Sequence, residues 1–311
     1  MVIVARIHPL SSQQKYPIIH SLISSSLEIT MASHNPVASL PLPSYFSHLA
    51  KSYNRSTANT TLDVFADILA SQVQTSDNPI DGNSVVHDNA AGPGVATAGI
   101  YATLAPSSIP KEILISDNND GMVSGARDSF NSPNISYKNL DAHDLSSLAD
   151  NYFTHSITNF SIFTFAKAET AMSEVYRTLR PGGTAVVTSW RRFAVLPIVH
   201  EVQKRLRPDL PLMPVPGPRF FEEGQLETVL TTAGFERENI RSLERDILVK
   251  EEDAIAGLKE FMSGGFMDRA REGYTKDDIA KWGEILEKVV EDEIAAYGGI
   301  SFQCFIAIAT K

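Results

Sequence analysis

The sequence predicts an α/β fold in which helices flank a doubly wound, mainly parallel sheet of seven strands. Short apolar runs alternate with segments of helical periodicity, which is typical of βαβ units with right-handed crossovers. A turn of small residues directly follows the first run, as expected at the carboxyl edge of such a sheet. The predicted strands are 84–87, 112–116, 136–139, 156–160, 183–189, 240–248 and 301–309.

Helical spacing precedes the first predicted strand. Apolar residues recur from Tyr45 to Gln74 with a break over Asn54–Thr61, so we expect two N-terminal helices. Residues 1–30 are Ser-rich, carry few charges and lack the order of a secretory signal. We expect them to be a disordered extension, with a weak organellar transit signal as the alternative, and residues 31–311 to form the domain.

Helical patterns also fill the gaps between the later strands. They are clearest at Thr170–Leu179 and Gln225–Ala233, and a long helical region, Glu251–Tyr297, separates the last two strands. Residues 190–223 lie between the fifth strand and the next helix and are rich in large apolar side chains. We expect this insertion to form a lid.

The overall charge is acidic, which argues against a nucleic-acid partner. The 37 acidic and 27 basic residues give a formal net charge of −10, and the basic residues form only short groups. Phosphate neutralisation supplies most of the affinity of nucleic-acid binders, so this balance is unfavourable for them. No apolar stretch approaches the roughly 18 residues that cross a bilayer, so we expect no membrane partner.

The single cysteine, Cys304, can form neither an internal disulfide nor a thiolate metal cluster. It lies in an apolar run that is predicted to be a strand, where a buried and inert thiol is expected. The histidines are scattered along the chain, so no metal site is expected. A reducing, cytoplasmic location fits this cysteine usage.

The turn after the first strand has the sequence DNAAGPG, residues 88–94. Ligands of doubly wound sheets bind beyond the carboxyl ends of the strands, where the backbone must come close to them. Small residues allow that approach because they carry little or nothing beyond Cβ. Glycine-rich loops also occur for turn reasons alone, so this feature needs support from others.

Acidic residues at the ends of the next two strands give that support. Asp117 ends the second strand, and a carboxylate at this spacing is placed to accept hydrogen bonds from two ribose hydroxyls. Asp141 follows the third strand, where an adenine amino group could be recognised. The sequence LRPGG, residues 179–183, then stops a helix and turns the chain into the fifth strand.

These features, in this order, resemble the class I S-adenosylmethionine-dependent methyltransferases, a Rossmann-like family, and within it the ubiquinone-biosynthesis-like branch. The resemblance runs from about Tyr45 to the C-terminus. The chain looks most similar to fungal secondary-metabolite methyltransferases such as the gliotoxin bis-thiomethyltransferases. The shared pieces are the loop that begins at Asp88, the Thr188-Ser189-Trp190 strand exit and the following Leu196-Pro197-Ile198.

The resemblance implies a role for each matching residue toward S-adenosylmethionine. The loop would hold the methionine moiety, Asp117 would bind the ribose, and residues after the third and fourth strands would contact adenine and the sulfonium. Two N-terminal tyrosines would close over the cofactor, although ordinary core packing is an equal alternative for both. The implied cofactor residues are Tyr45, Tyr53, Asp88, Asn89, Ala90, Gly92, Gly94, Asp117, Asn118, Met122, Asp141, Ala142, Asn159 and Phe160.

Two departures from the family pattern bear on these roles. The usual Asp-x-Gly-x-Gly-x-Gly loop has alanine at its first glycine position, Ala90, which is compatible with binding where φ stays negative. Pro93 also removes one backbone donor from the loop. The fourth strand lacks the Asp/Asn-Pro-Pro-Tyr signature of many amino-group and nucleic-acid methyltransferases.

A general base is needed only if the methyl acceptor arrives protonated with a high pKa. The candidates are His143, His155 and His200, each of which could instead complete a hydrogen-bond network. His200 is preferred because it lies on the expected lid. Among the apolar residues of the insertion, Trp190, Phe193 and Phe220 are predicted to line the acceptor pocket, with packing of the lid against the sheet as the alternative.

The predicted function is transfer of a methyl group to an O, N or S atom of a small molecule, in fungal secondary metabolism, by a monomer or homodimer. Two alternatives stay open. One is a methyltransferase-like regulator of secondary metabolism that acts through partner proteins. The other is an enzyme that binds S-adenosylmethionine and uses its sulfonium charge without transferring the methyl group.

Overall fold

The strands of the protein form a single sheet. The computed structural model describes residues 49–50 and 52–311. The strands are β1 (Val85–Asn89), β2 (Glu112–Asp117), β3 (Ile135–Asn139), β4 (Phe153–Thr158), β5 (Leu179–Arg192), β6 (Ile240–Val249) and β7 (Ile300–Thr310). Their order is β3-β2-β1-β4-β5-β7-β6, with β7 antiparallel to both neighbours and the other pairs parallel. The predicted doubly wound, mainly parallel sheet is confirmed.

Helices connect these strands. In chain order they are α1 (Tyr53–Ser56), α2 (Thr60–Ile68, continued by a π-helical turn over Leu69–Val73), α3 (Val95–Thr103), α4 (Asp120–Ser129), α5 (Ala168–Thr178), α6 (Val195–Leu206), α7 (Gln225–Ala233), α8 (Glu252–Ser263) and α9 (Lys276–Tyr297). Short 3₁₀ helices span Pro106–Ser108, Ile162–Thr164, Pro218–Phe221, Arg237–Asn239 and Gly265–Arg271. The break predicted between the N-terminal helices is shorter than expected, because α1 and the start of α2 lie within it.

The sheet buries both of its faces, because side chains alternate along each strand. In β1, Val86 packs in a cluster with α2, α3 and α6, whereas Val85 packs in a second cluster with α5 and α7. This double burial explains why the strands read as apolar runs rather than as alternating patterns. The strand order reverses between β1 and β4, so the carboxyl ends of these two strands open a crevice for a ligand.

All seven strands extend beyond their predicted bounds by at least one residue, and in β1 and β5 the added residues were predicted to lie in turns. β1 includes Asp88 and Asn89, so these side chains are fixed by the sheet and not by the turn. β5 begins at Leu179, whose partner is Phe153, and an irregularity in the pairing accommodates the predicted Pro-Gly-Gly turn. The N–H of Gly182 donates to the carbonyl of Lys311 in the C-terminal segment. The turn is therefore bonded to the residue that follows the neighbouring strand β7.

The predicted lid insertion starts later than expected and is partly helical. Trp190 still pairs with β7, and α6 occupies the first half of the segment. Two side chains of α6 hold the loop that follows: the Gln203 side chain accepts from the Met213 N–H at 3.0 Å, and His200 Nε2 lies 2.7 Å from the Met213 carbonyl oxygen. Gln203 also donates to the carbonyl of Ala270, which ties this loop to the region between β6 and β7.

Three further features of the described residues bear on the expectations above. No helix in this part of the chain combines the length and apolarity needed to span a membrane. Cys304 is buried within β7, and burial raises the pKa of its thiol to about 12, which makes it unreactive. The expected extension, residues 1–30, and Tyr45 lie outside the described residues.

Candidate functional site

The turn after β1 has a left-handed backbone at three positions. The φ angles are +49° at Ala90, +56° at Gly92 and +85° at Gly94. The condition of a negative φ, under which alanine replaces glycine without strain, is therefore not met at Ala90, and this alanine occupies a conformation that favours glycine. Among the described residues, a Cβ on Gly92 would meet only the sulfur of Met122, at 3.9 Å, so this part of the structure leaves the space beside Gly92 open. A ligand can approach the backbone at this point.

Asp117 lies across from this turn at the end of β2. Its Oδ2 accepts the N–H of Gly92 and its Oδ1 accepts the N–H of Asn119, each at 2.9 Å. Burial raises its pKa, and hydrogen bonds from backbone N–H groups act in the opposite direction. A carboxylate oxygen can accept two hydrogen bonds, so the carboxylate can accept more than these two. This arrangement suits a pair of neighbouring hydroxyl groups.

Asp88 serves the scaffold of the site. Its Oδ2 accepts both the N–H and the hydroxyl of Thr97, at 2.9 and 2.7 Å, and so fixes the first turn of α3 behind the loop. Its Oδ1 is buried and has no hydrogen-bond partner within residues 49–50 and 52–311. Burial raises the pKa of this carboxyl to about 7. The direct ligand contact expected of Asp88 is therefore limited to Oδ1, because Oδ2 is committed to α3.

A polar network joins the ends of β1 and β4 to α2. The amide of Asn89 donates to the Thr158 hydroxyl at 3.2 Å, and the amide of Asn159 donates to the Thr61 carbonyl at 3.2 Å. The Thr188 hydroxyl of β5 donates to Asn159 Oδ1 at 2.9 Å. Both predicted asparagines are thus brought to the crevice and held in place by threonines.

The residues predicted to surround the adenosine lie near Asp117. Met122 is buried beside Gly92, and the N–H of Leu140 donates to the carbonyl of Asp117. Asn118 and Asp141 are exposed on the two segments that follow β2 and β3. The structure differs at Ala142, which is buried among apolar residues on the α5 side of the sheet. Its side chain is therefore part of the core.

Tyr53 lies above this edge of the sheet. Burial raises the pKa of its phenol, and the negative charge of Asp117 adds to the effect. It also packs against the apolar cluster that contains α2. Tyr53 can therefore both cover the cofactor crevice, as predicted, and pack in the core, which was the alternative. Tyr45 lies outside the described residues.

Aromatic rings line the ends of β4 and β5. Phe160 has a φ of +50°, an unfavourable conformation for a bulky residue, and its ring stacks on Trp190 with centroids 4.0 Å apart. Trp190 also stacks on Phe193, at 5.4 Å. Phe220 is not part of this group, because it is buried on the opposite face of the sheet. Of the three predicted pocket residues, Trp190 and Phe193 therefore lie together and Phe220 lies apart. Phe221 is a better candidate than Phe220 for the pocket, since it packs on the same side as Trp190.

None of the three candidate histidines is free for proton transfer at the crevice. His143 Nδ1 lies 2.6 Å from Asp141 Oδ1, and its Nε2 accepts the N–H of Lys167. His155 is buried between Thr154 and the Asn78 carbonyl, and burial lowers its pKa to about 4. His200 holds the loop at Met213. All three histidines therefore fit the alternative, in which each one completes a hydrogen-bond network.

Sequence reasoning missed the threonines of the site. Thr97 lies nine residues after Asp88, at the start of α3, a position that a hydroxyl supporting the strand-end carboxylate could have suggested. Thr61 gave no signal, because its place depends on how α2 packs against the end of β4. Asn119 caps α4 by accepting the N–H of Met122, and an asparagine before a helix is a recognisable cap.

Comparison with known proteins adds to this geometry. Residues 90–187 match the model of a methyltransferase domain family. A protein of Anabaena variabilis, described as a methyltransferase from an antibiotic biosynthesis pathway, is 15% identical and matches with a TM-score of 0.52, over 78% of this chain and 96% of its own. At this identity the likeness shows the fold.

Other solved structures are also similar. The methyltransferase in complex with the Haloferax volcanii Trm112 activator is 15% identical, with a TM-score of 0.49 over 86% of this chain and 95% of its own. The [4+2]-cyclase SpnF is 18% identical, with a TM-score of 0.48 over 80% of each chain.

The matched residues run from the turn after β1 to β5, and so include the left-handed loop, Asp117 and the end of β4. Residues 90–187 are thus similar to a methyltransferase domain, and the fold around them is that of the Anabaena variabilis protein.

Proposed function

We propose that this protein transfers the methyl group of S-adenosylmethionine to an O, N or S atom of a small molecule, and that Asp117 binds the ribose. The main observation in support is the hydrogen bond from the Gly92 N–H to the Asp117 carboxylate. It places the Asp117 carboxylate beside a turn that, among the described residues, has open space next to its backbone. Hydrogen bonds to charged groups of this kind are worth about 1.5–3 kcal/mol.

The residues of the crevice fit this cofactor along its length. Met122 offers a polarisable apolar contact to the adenine, and the exposed Asp141 can accept its amino group. The loop from Ala90 to Gly94 and the strand-end Asn89 face the amino-acid portion. Asn159 and Phe160 then lie on the side where the sulfonium would meet the acceptor.

When bound, S-adenosylmethionine supplies an already activated methyl group, so the protein contributes mainly proximity and alignment. Phe160, Trp190 and Phe193 form an apolar stack of rings at the ends of β4 and β5. Apolar surroundings of this kind favour a hydrophobic or aromatic acceptor. The DNAAGPG loop and the Thr188-Ser189-Trp190 exit support a fungal secondary metabolite as the acceptor class.

Incubation with a labelled methyl donor and a fungal metabolite extract tests this proposal. We expect label in an organic-soluble product, and we expect Gly92→Val to abolish it by filling the open space beside the loop. Gly182→Val is the matched control, because Gly182 also has a positive φ, +74°, but lies where an added Cβ meets no atom of the described residues within 4 Å. Donor binding without any labelled product would instead favour the regulator or the non-methylating enzyme.

A further inference from the structure

The turn that follows β3 holds one oxygen of the Asp141 carboxylate with two donors. Oδ1 accepts the backbone N–H of His143 at 2.9 Å and lies 2.6 Å from His143 Nδ1. The carbonyl of Asp141 accepts the N–H of Asp144 at 2.9 Å, which closes the turn. In the described part of the chain both hydrogen bonds to this side chain reach Oδ1, so Oδ2 is available to a ligand.

The imidazole of His143 is itself held in place. Its Nε2 accepts the N–H of Lys167 at 3.2 Å, and its ring packs edge-on against Phe165, with centroids 5.5 Å apart. A neutral imidazole has one donor and one acceptor nitrogen, so an accepting Nε2 leaves the proton on Nδ1. His143 therefore donates to Asp141, and it links the end of β3 to the segment that leads into α5.

The Asp141 carboxylate depends on this donor for its orientation, because its side chain is exposed. The side chains of Asp141 and His143 are 56% and 25% exposed. An exposed carboxylate turns about its side-chain bonds, and ordering it when the ligand binds costs conformational entropy. The hydrogen bond from His143 fixes the carboxylate before the ligand arrives, which reduces that cost.

The same contacts keep the carboxylate ionised. Burial acts to raise the pKa of Asp141, but the two hydrogen bonds from His143 lower this pKa overall. An ionised carboxylate is an acceptor only. It therefore attracts the amino group of adenine and repels the carbonyl oxygen that hypoxanthine carries at the same ring position.

We propose that His143 is a positioning residue, which orients the Asp141 carboxylate toward the adenine amino group and so sets the preference of the site for adenine over hypoxanthine. This inference rests on the proposed cofactor site. It assigns nucleobase selectivity to a side chain that acts only through Asp141. A purely structural role, in which His143 accepts the Lys167 N–H before α5, would leave the selectivity unchanged.

Calorimetry with two ligands at one pH tests this role. S-Adenosylhomocysteine carries adenine, and S-inosylhomocysteine carries hypoxanthine on the same ribose and amino acid. We expect the wild type to prefer the adenine ligand about tenfold or more, as for a hydrogen bond to a charged group. Asp141→Asn should bring the ratio of the two affinities close to one, because an amide can also donate to the hypoxanthine carbonyl.

Asp144→Asn is the matched control for the change at Asp141. Asp144 is an exposed carboxylate of the same turn, and it accepts the N–H of Ser146 at 3.1 Å. The substitution removes the same charge three residues further along the chain. We expect the ratio of the two affinities to stay at the wild-type value in this variant.

Three variants of His143 separate its two nitrogen atoms. His143→Phe keeps a ring against Phe165 and removes both nitrogens. His143→Gln extends its amide toward the position of Nε2, whereas His143→Asn places its amide nitrogen near the position of Nδ1 and is too short for the Lys167 N–H. The Phe and Gln variants should lower the ratio about fivefold or more, through weaker binding of S-adenosylhomocysteine, and the Asn variant should stay within about twofold of the wild-type ratio.

Two outcomes would overturn the inference and leave the adenine site in place. In the first, Asp141→Asn lowers the ratio but His143→Phe and His143→Gln do not. In the second, all three His143 variants lower it equally, because the contact with Lys167 would then account for the effect. If His143→Phe does not fold, the comparison of His143→Asn with His143→Gln decides by the same rule.

Two further outcomes concern the cofactor site itself. If the wild type binds both ligands equally, Asp141 does not recognise the base and the inference is wrong, whereas the ribose site at Asp117 stands. If neither ligand binds the wild type at millimolar concentration, both the inference and the cofactor site are wrong.

Discussion

Replacing Ala90 by glycine should stabilise the ligand-free protein, although it removes a side chain. Ala90 has a φ of +49°, and the left-handed conformation costs a residue with a Cβ about 1–2 kcal/mol. Glycine escapes this cost, but the added freedom of the unfolded chain offsets about 0.4–1 kcal/mol. The expected net change in the free energy of unfolding is an increase of about 0.8 kcal/mol, the difference between the midpoints of these two ranges.

Urea unfolding at constant pH measures this change, provided that the slope m is the same for both proteins. Ala91→Gly is the matched control, because Ala91 is the next residue of the same turn, is buried, and does not have a positive φ. This control should lower the free energy of unfolding by about 1 kcal/mol. If Ala90→Gly destabilises the protein as much as Ala91→Gly does, the left-handed strain assigned to the loop is wrong.

Three further substitutions probe the site and its support. Asp117→Asn should weaken S-adenosylhomocysteine about tenfold or more in calorimetry, whereas the exposed Asp120→Asn should not. Asp88→Asn should equal wild type in stability near pH 4 and exceed it above pH 7. The reason is that the raised pKa of about 7 makes the folded wild type lose up to about 1.4 kcal/mol per pH unit as pH rises through this range; a pH-independent difference in chemical unfolding would contradict this. Gln203→Leu should lower the free energy of unfolding by about 1–3 kcal/mol and speed proteolysis of the loop after α6, since it leaves two buried backbone groups unpaired; unchanged cleavage would argue against the tie.

The sheet could be predicted because its signal is local. The central strands β1 and β4 are buried on both faces and so read as short apolar runs, and all seven predicted runs contain a strand. The strand ends were less certain: residues 180–183 contain a proline and two glycines, which are typical of a turn, yet they lie within β5 because its neighbours tolerate an irregular register. The amino-acid composition of this segment does not show that the neighbouring strand can pair with it in an irregular register.

The site could be predicted only where its residues belong to the strand ends. Asp117 and Asn89 follow directly from the strand pattern, and both lie at the crevice. Phe220 was predicted to line the same pocket as Trp190 and Phe193, but it is buried in the other core cluster. The sequence could not show this, because no alternation of side chains can be followed through the loop and the short helix at this position. The contact between Thr61 and Asn159 could not be predicted, because it depends on how α2 packs against the end of β4.

A crystal structure with S-adenosylhomocysteine tests the central claim most directly. The account predicts that the two ribose hydroxyls lie within hydrogen-bond distance of the Asp117 carboxylate, with the sugar against the Gly92 backbone. A nucleoside bound elsewhere on the chain, or an Asp117 carboxylate that makes no contact with the ribose, would contradict it.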